Sequence, residues 1–168
     1  MPGKVSPIPQ GYHTTTPYLS VNDGPRAIEF YKKAFGAQEI MRMEAGPGKI
    51  GHAELKIGDS VIMLADEMPM PGSLKSPKSL GGTTAGIFLY VTDVDTAFQK
   101  AVEAGAKVEM PLADQFWGDR YGKLSDPFGH SWSMATHKED VAPEEMKKRA
   151  QEAMAKMAQQ QQQKKTAG

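Results

Sequence analysis

The chain has 168 residues, with 20 lysines and arginines balanced by 20 aspartates and glutamates, and it has no cysteine. This balance gives no charge field that would attract nucleic acid or an anionic membrane surface, and the lack of cysteine excludes disulfides, thiolate nucleophiles and cysteine-based zinc sites. The sequence also has no run of about 18 apolar residues for a membrane span and no apolar N-terminal segment typical of a signal peptide. We therefore expect a cytoplasmic protein without nucleic-acid or membrane partners.

The first elements follow from local signals. Residues 1–11 carry three prolines and are predicted to be an irregular lead-in. Alternating polar and apolar residues then predict a strand, and Asn22 or Asp23 is placed to cap a helix that ends at Gly36. A second strand and a hairpin with Gly58 at its turn follow. The order is therefore strand, helix and three strands.

The same order of elements recurs in the second half of the chain. The segment PYLSVND, which ends at Asp23, matches IFLYVTD, which ends at Asp93. The hairpin GHAELKIGDSVIMLAD, which begins at Gly51, matches GKLSDPFGHSWSMATH, which begins at Gly122. A repeat of this kind predicts that one supersecondary unit is used twice.

The repeat predicts an α+β fold with two tandem strand-helix-three-strand (βαβββ) modules whose mixed sheets form a shared concave cavity. Module one is expected over residues 12–67 and module two over 85–137, joined by a proline- and glycine-rich linker over 68–84. Residues 138–168 are predicted to form a helix with a weak apolar stripe and then a frayed or disordered tail. This helix is expected to pack on its own domain or on a second subunit of a homodimer, with a solvated tail as the alternative.

Strand alternation separates the side chains that face the cavity from those that face the helices. Pairing across the Gly58 turn places His52, Glu54 and Met63 on one face of the first hairpin, and the opposite face is uniformly apolar. In module two the same rule places Lys123 beside Ser133. On the two opening strands the cavity positions are Thr16, Tyr18, Phe88 and Tyr90. A lining of polar and aromatic side chains is typical of a small-molecule site.

Several segments resemble the vicinal oxygen chelate superfamily, which includes glyoxalase I, extradiol dioxygenases and bleomycin- and fosfomycin-resistance proteins. The resemblance rests on the doubled module, the strand endings YLSVND and YVTDVD, and the segments AIEFYKKAFGA, QFWGDRYGKLSDPFGHSW and GHAELKIGDSVIMLADE. Within this superfamily the chain is most similar to the PhnB-like, glyoxalase-related branch. The resemblance covers residues 12–137 and implies a fold rather than a reaction.

The resemblance also bears on metal binding. In metal-using members, a histidine or glutamate comes from the first and the last strand of each module. The matching positions here are Thr16, Met63, Gly86 and Ser133. None of these is a good ligand for a divalent ion, so we expect neither a metal nor another cofactor.

A glycine-flanked loop that carries Trp117, Arg120 and Tyr121 is placed near the cavity mouth by the same resemblance. Its rings could stack on a planar ligand. Arg120 could meet an acidic group of the ligand, or it could pair with Asp119 or Asp126.

Two main classes of function remain open. The first is metal-independent binding or sequestration of a hydrophobic or aromatic small molecule. Its predicted ligand contacts are Thr16, Tyr18, Met63, Phe88, Tyr90, Trp117, Arg120, Tyr121, Lys123 and Ser133. The second is a lyase, isomerase or dioxygenase-type enzyme in which His52 and Glu54 act as general acid and base, although the two could also form a simple polar patch. A third possibility is an accessory module that associates through its C-terminal helix.

Overall fold

The computed structural model describes residues 5–166 of the chain. The elements in this range are β1 (Tyr18–Val21), α1 (Gly24–Phe35), β2 (Gln38–Gly46), β3 (Lys49–Ile57), β4 (Ser60–Asp66), α2 (Pro77–Leu80), β5 (Gly86–Tyr90), α3 (Val94–Glu103), β6 (Lys107–Asp114), β7 (Asp119–Ser125), β8 (Ser131–His137) and α4 (Pro143–Thr166). The order strand, helix and three strands occurs twice. This confirms the predicted α+β fold of two repeated modules followed by a C-terminal helix.

The strands form two separate four-stranded mixed sheets, with the orders β1-β4-β3-β2 and β5-β8-β7-β6. In each sheet the opening strand pairs in parallel with the last strand, and the remaining pairs are antiparallel. Glu54 lies opposite Met63, and Lys123 lies opposite Ser133. These registers confirm the predicted pairing, and Leu55 is buried while Glu54 and Met63 are partly exposed, as two different faces require.

Corresponding helices of the two modules begin with the same kind of cap. The Asp23 side chain accepts a hydrogen bond from the Arg26 backbone N–H (3.2 Å), and Asp93 accepts one from the Thr96 N–H (3.1 Å). A carboxylate at this position satisfies a backbone donor that the first helical turn leaves unpaired. The first helix ends, as predicted, at Gly36, whose φ of 65° is left-handed.

The two modules pack together through the faces that carry α1 and α3. The rings of Tyr31 and Phe35 lie 5.5 and 4.3 Å from the Trp132 ring of β8. Asp126 accepts hydrogen bonds from the Tyr31 hydroxyl (2.7 Å) and from Trp132 Nε1 (3.0 Å). One continuous core therefore joins both modules of the chain and leaves the opposite sheet faces for other contacts.

Two segments contain features that the sequence did not predict, one in the linker and one in module two. The predicted linker contains the one-turn helix α2, which is capped by Ser76 and begins at Pro77. In module two, strand β6 runs through Pro111 to Asp114. A proline is tolerated there because β6 is the outer strand of its sheet and its missing N–H breaks no ladder bond.

The C-terminal helix is longer than expected. It continues through the glutamine run to Thr166, where the sequence predicted a frayed or disordered tail, because glutamine, lysine and alanine all favour helix. Near the start of this helix, Arg149 forms a bidentate ion pair with Glu139, with two hydrogen bonds of 2.8 Å. The predicted tail residues 167–168 lie outside the described part. Within that part no helix combines the length and the apolar character needed to span a membrane.

Candidate functional site

A cavity of about 830 Å³ lies between the edges of β1 and β5. Tyr18 lines it from module one and Phe88 from module two. The linker, through Leu74 and Leu80, and residues 82–86 border the remaining sides. Sites for small molecules commonly enclose roughly 300–1,000 Å³, so this cavity has a suitable size.

Four rings of module two form what we call the aromatic cluster: Phe88, Tyr90, Trp117 and Tyr121. The Phe88 ring lies 4.8 Å from Tyr90 and is stacked at 5.7 Å on Tyr121. Trp117 meets Tyr121 edge to face at 5.7 Å. Phe88 and Tyr90 remain 48% and 59% exposed. Because Phe88 also lines the cavity of about 830 Å³, the cluster adjoins that cavity through this ring.

The polar atoms of the aromatic cluster are bonded within the protein. The carboxylate of Asp119 accepts hydrogen bonds from the Tyr90 hydroxyl (2.9 Å) and from Trp117 Nε1 (3.0 Å), both at Oδ2. The Tyr121 hydroxyl and Ser133 Oγ are hydrogen-bonded at 3.0 Å. The exposed surface of the cluster therefore consists of ring faces rather than free hydroxyl or N–H groups.

Asp119 is only 3% exposed, and a histidine is hydrogen-bonded to its second carboxylate oxygen. Nδ1 of His137 lies 2.7 Å from Asp119 Oδ1, and its Nε2 lies 3.0 Å from Asp140 Oδ1. Burial alone would raise the pKa of Asp119, but the hydrogen bonds from His137, Tyr90 and Trp117 together hold the pKa below its ordinary value. The bonds to Asp119 and then Asp140 raise the pKa of His137. The pair is therefore stabilised in its charged form.

The candidate catalytic residues lie together on the cavity face of β3. His52 Nε2 is 3.2 Å from Glu54 Oε1, and the Tyr18 hydroxyl is 3.4 Å from His52 Nδ1. Tyr12 donates its hydroxyl hydrogen to the second carboxylate oxygen of Glu54. This bond is the main cause of a lowered pKa for Glu54, and the bond with His52 adds to it. A lowered pKa makes a carboxylate a weaker general base.

The lead-in covers this part of module one. Pro7, Ile8 and Tyr12 border a second cavity, of about 390 Å³, whose lining includes Thr16, Glu54 and Met63. Sequence reasoning missed the role of Tyr12. No local pattern signals it, because its partner Glu54 is 42 residues away in the chain.

The side chains at the four family metal positions do not fit a divalent ion. Thr16, Met63, Gly86 and Ser133 supply no carboxylate or imidazole. Among residues 5–166, no group of three or more histidine, aspartate or glutamate side chains could hold a metal ion. His52 and Glu54 provide only two donors, and Tyr12 occupies one Glu54 oxygen.

The structure places Arg120 away from the other predicted ligand contacts. Arg120 and Tyr121 belong to β7 rather than to a loop, so their side chains leave opposite faces of the sheet. Arg120 forms two 2.7 Å hydrogen bonds with Asp95, at the start of α3, and a 3.3 Å bond with Asp114. Arg120 therefore pairs with neither Asp119 nor Asp126, the two acidic partners considered as one possibility from the sequence.

Lys123 lies on the same strand face as Tyr121. Its ammonium group is 3.2 Å from Glu109 Oε2, and both side chains are more than a third exposed. An exposed pair of this kind contributes little to stability, so Lys123 is free to change partner at small cost.

Two repeated βαβββ modules, joined through their helices and bordering an aromatic cavity, define the class of this protein as a two-module α+β fold. Residues 12–134 match the family model of the Glyoxalase/Bleomycin resistance protein/Dioxygenase superfamily. The chain belongs to this superfamily, which confirms the resemblance seen in the sequence.

Individual proteins are similar to this chain in sequence or in fold. An uncharacterized protein of Mycobacterium bovis is 47% identical over 133 residues, which cover 78% of this chain and 88% of the relative. The crystal structure of TioX from Micromonospora sp. ML1 is similar with a TM-score of 0.59 and 29% identity, covering 73% of this chain and 98% of that one. FosX, a fosfomycin resistance protein from Mesorhizobium loti, has a TM-score of 0.53 and 14% identity over 74% of this chain and 91% of its own, which shows a shared fold alone.

Proposed function

We propose that this protein binds or sequesters a hydrophobic or aromatic small molecule without a metal ion. The observation that carries the proposal is the continuity of the aromatic cluster with the cavity of about 830 Å³ through the single ring of Phe88. A flat ligand could enter between β1 and β5 and lie against the exposed faces of Phe88 and Tyr90. Tyr18 would contact it from module one.

The energetics are adequate for such a role. Each well-placed aromatic pair adds about 0.5–1.5 kcal/mol beyond the burial of apolar area. Micromolar affinity corresponds to about 8 kcal/mol, and much of this would come from removing a polycyclic ligand and the cluster from water. Two or three stacked rings then supply the remainder.

The names of similar proteins guide the choice of test compounds. The superfamily name includes bleomycin resistance proteins, and FosX is named as a fosfomycin resistance protein. Drug-like compounds and related metabolites are therefore the first ligands to test.

The alternative, a lyase, isomerase or dioxygenase-type enzyme that uses His52 and Glu54, has less support. Glu54 already accepts hydrogen bonds from Tyr12 and His52, and its pKa is lowered. A general base is most effective when its pKa lies near the working pH, which requires a shift in the opposite direction. The lead-in also covers part of this face.

Tryptophan fluorescence tests the proposal because the two tryptophans differ in burial and their signals can be separated by substitution. Trp117 belongs to the aromatic cluster, whereas Trp132 is 1% exposed and lies in the core. Acridine, flavone and anthracene would be titrated against the natural protein and against Trp117→Phe as the matched control. We expect saturable quenching with a micromolar dissociation constant, and loss of the signal in Trp117→Phe.

Turnover of the methylglyoxal–glutathione adduct would be measured in parallel. Robust turnover that disappears in His52→Ala or Glu54→Ala, without saturable binding of any planar compound, would replace this proposal with the enzyme alternative.

We also propose that the protein forms a homodimer. Several apolar side chains on the outer strands and on α4 are uncovered: Ile40, Met43, Val108, Met110, Met154 and Met157. Exposed apolar surface of this kind is typical of a subunit interface. Light scattering behind size-exclusion chromatography would decide between one and two chains, and Met154→Lys with Met157→Lys would test the contribution of α4.

A further inference from the structure

We propose that Asp119 is a positioning residue for ligand binding: it fixes the orientation of the Tyr90 and Trp117 rings so that their faces line the binding surface. The inference rests on the proposed binding function and identifies what holds that surface in shape. Asp119 was not among the side chains predicted to contact a ligand, and it is buried behind the cluster rather than exposed in it.

The geometry supports this role directly. The hydroxyl of Tyr90 and Nε1 of Trp117 both reach Asp119 Oδ2, at 2.9 and 3.0 Å. Tyr90 lies at the end of β5, and Trp117 lies in the turn before β7. One carboxylate oxygen therefore ties together rings from two separate segments of module two.

The orientation of these rings matters for binding. Tyr90 is 59% exposed, so neighbouring atoms cover less than half of it and do not fix its ring by packing alone. A ring that is free to rotate must be immobilised when a ligand stacks on it, which costs binding free energy. A hydrogen bond from each ring to a buried carboxylate imposes that order before the ligand arrives.

The second oxygen of Asp119 is bonded to His137 Nδ1 at 2.7 Å. Because the side chain of Asp119 is held at both oxygens, it cannot rotate without breaking a hydrogen bond. The histidine therefore supports the position of Asp119, and Asp119 supports the position of the two rings.

Module two contains a natural control for this inference. Asp126 is also buried, and it also accepts hydrogen bonds from one tyrosine hydroxyl and one tryptophan N–H. Its side-chain donors, Tyr31 and Trp132, are fully buried in the core rather than exposed in the aromatic cluster. The second oxygen of Asp126 accepts from the backbone N–H groups of Phe128 and His130. Loss of Asp126 should therefore affect folding without a specific effect on ring orientation at the cavity.

The experiment compares Asp119→Ala, Asp119→Asn, Asp126→Ala and Asp126→Asn with the natural protein. Near-ultraviolet circular dichroism and fluorescence anisotropy of Trp117 are read without ligand, with Trp117→Phe subtracted to remove the Trp132 signal. Acridine affinity is measured by fluorescence, and the melting temperature is recorded for every variant. The asparagine variants keep an oxygen acceptor and are the conservative replacements.

We expect Asp119→Ala to lose the ordered Trp117 signal and to bind acridine about 10-fold more weakly, since two side chains must then be ordered on binding. Asp119→Asn should restore most of both properties, because its amide oxygen can still accept from Tyr90 and Trp117. Asp126→Ala, or Asp126→Asn if the alanine variant does not fold, should melt at a lower temperature and keep its acridine affinity.

Two outcomes would overturn the inference: an unchanged Trp117 signal in Asp119→Ala, or a loss of affinity in the Asp126 variants equal to that in the Asp119 variants. If the natural protein binds none of the planar compounds, the proposed function fails. The ligand-free Trp117 signal still decides whether Asp119 orients the rings.

Discussion

The hydroxyl of Tyr12 donates a hydrogen bond to Glu54 and so connects the segment that precedes β1 to the cavity face of β3. Glu54 also lies within 3.2 Å of His52. Tyr12 therefore occupies one oxygen of the carboxylate on which an acid–base mechanism would depend. The two modules differ in this respect. Glu54 of module one is covered by Tyr12, whereas Phe88 and Tyr90 of module two remain exposed.

Tyr12→Phe should raise the pKa of Glu54, because the bond from Tyr12 is the main cause of its depression. The shift can be measured by following the Glu54 carboxyl carbon in an NMR titration. Tyr18→Phe is the matched control, since the Tyr18 hydroxyl contacts His52 rather than Glu54. An equal shift in both variants, or none in Tyr12→Phe, would contradict the assignment of the bond.

The folded-state shift of Glu54 also fixes the direction of its effect on stability. A carboxylate with a lowered folded pKa stabilises the protein above its unfolded pKa of about 4.3, and that contribution is lost as the pH falls through the folded value. The melting temperature of Tyr12→Phe should therefore be lower than that of the natural protein at neutral pH, and the two values should converge in acid.

His137 predicts the opposite dependence on pH. Its pKa is raised by Asp119 and then Asp140, so its contribution is fully present below about pH 6.5 and is lost as the pH rises through the raised value. The melting temperature of His137→Gln should fall below that of the natural protein in mild acid. The difference should narrow at alkaline pH, and a constant difference would mean that the charge of His137 is not involved.

The face assignment in module one is tested by substitution on adjacent residues of β3. Leu55 is fully buried, whereas its neighbour Lys56 is exposed. Leu55→Asp should prevent folding because an unpaired charge would enter the core at a cost of several kcal/mol, and Leu55→Ala should cost about 2–5 kcal/mol. Lys56→Asp should have a urea unfolding midpoint close to that of the natural protein. Leu89→Asp should be less severe than Leu55→Asp, because Leu89 is only partly buried.

The metal prediction follows from the chemistry of four side chains. With Thr16, Met63, Gly86 and Ser133 at the family positions, protein purified without a histidine tag should hold no stoichiometric zinc, nickel, manganese or iron. Elemental analysis checks this. About one tightly held ion per chain would contradict it and would direct attention to His52, Glu54 and His137.

The parts of the fold that depend on local pattern could be predicted from sequence. Strand alternation separated Glu54 from Leu55, and Asp23 and Gly36 marked the ends of α1, because each signal lies within a few residues of the feature that it controls. The repeat then extended these assignments to module two.

The partners of polar side chains could not be predicted in the same way. Asp119 was considered only as a partner for Arg120, yet its donors are Tyr90, Trp117 and His137. Tyr90 is 29 residues away from it in the chain, so the contact depends on how β5 and β7 are brought together by β8. Arg120 was assigned to a loop, and its strand position turned it toward Asp95.

Phe88 should be the most sensitive ring for ligand binding, because it belongs to the aromatic cluster and also lines the cavity between β1 and β5. Phe88→Ala removes a stacking surface and the contact that orders Tyr121, so acridine affinity should fall by about 10- to 100-fold, the equivalent of roughly 1.4–2.8 kcal/mol. Phe88→Leu retains apolar volume without a ring and separates stacking from simple burial.

Tyr18→Ala provides the comparison from module one. Tyr18 lines the same cavity, but its hydroxyl contacts His52, and its ring is not part of the four-ring cluster. If the ligand lies mainly against module two, Phe88→Ala should weaken acridine binding more than Tyr18→Ala, and Phe88→Leu should fall between Phe88→Ala and the natural protein. Equal losses for Tyr18→Ala and Phe88→Ala would instead place the ligand centrally between β1 and β5. If Phe88→Leu bound acridine as tightly as the natural protein, burial without stacking would account for the affinity.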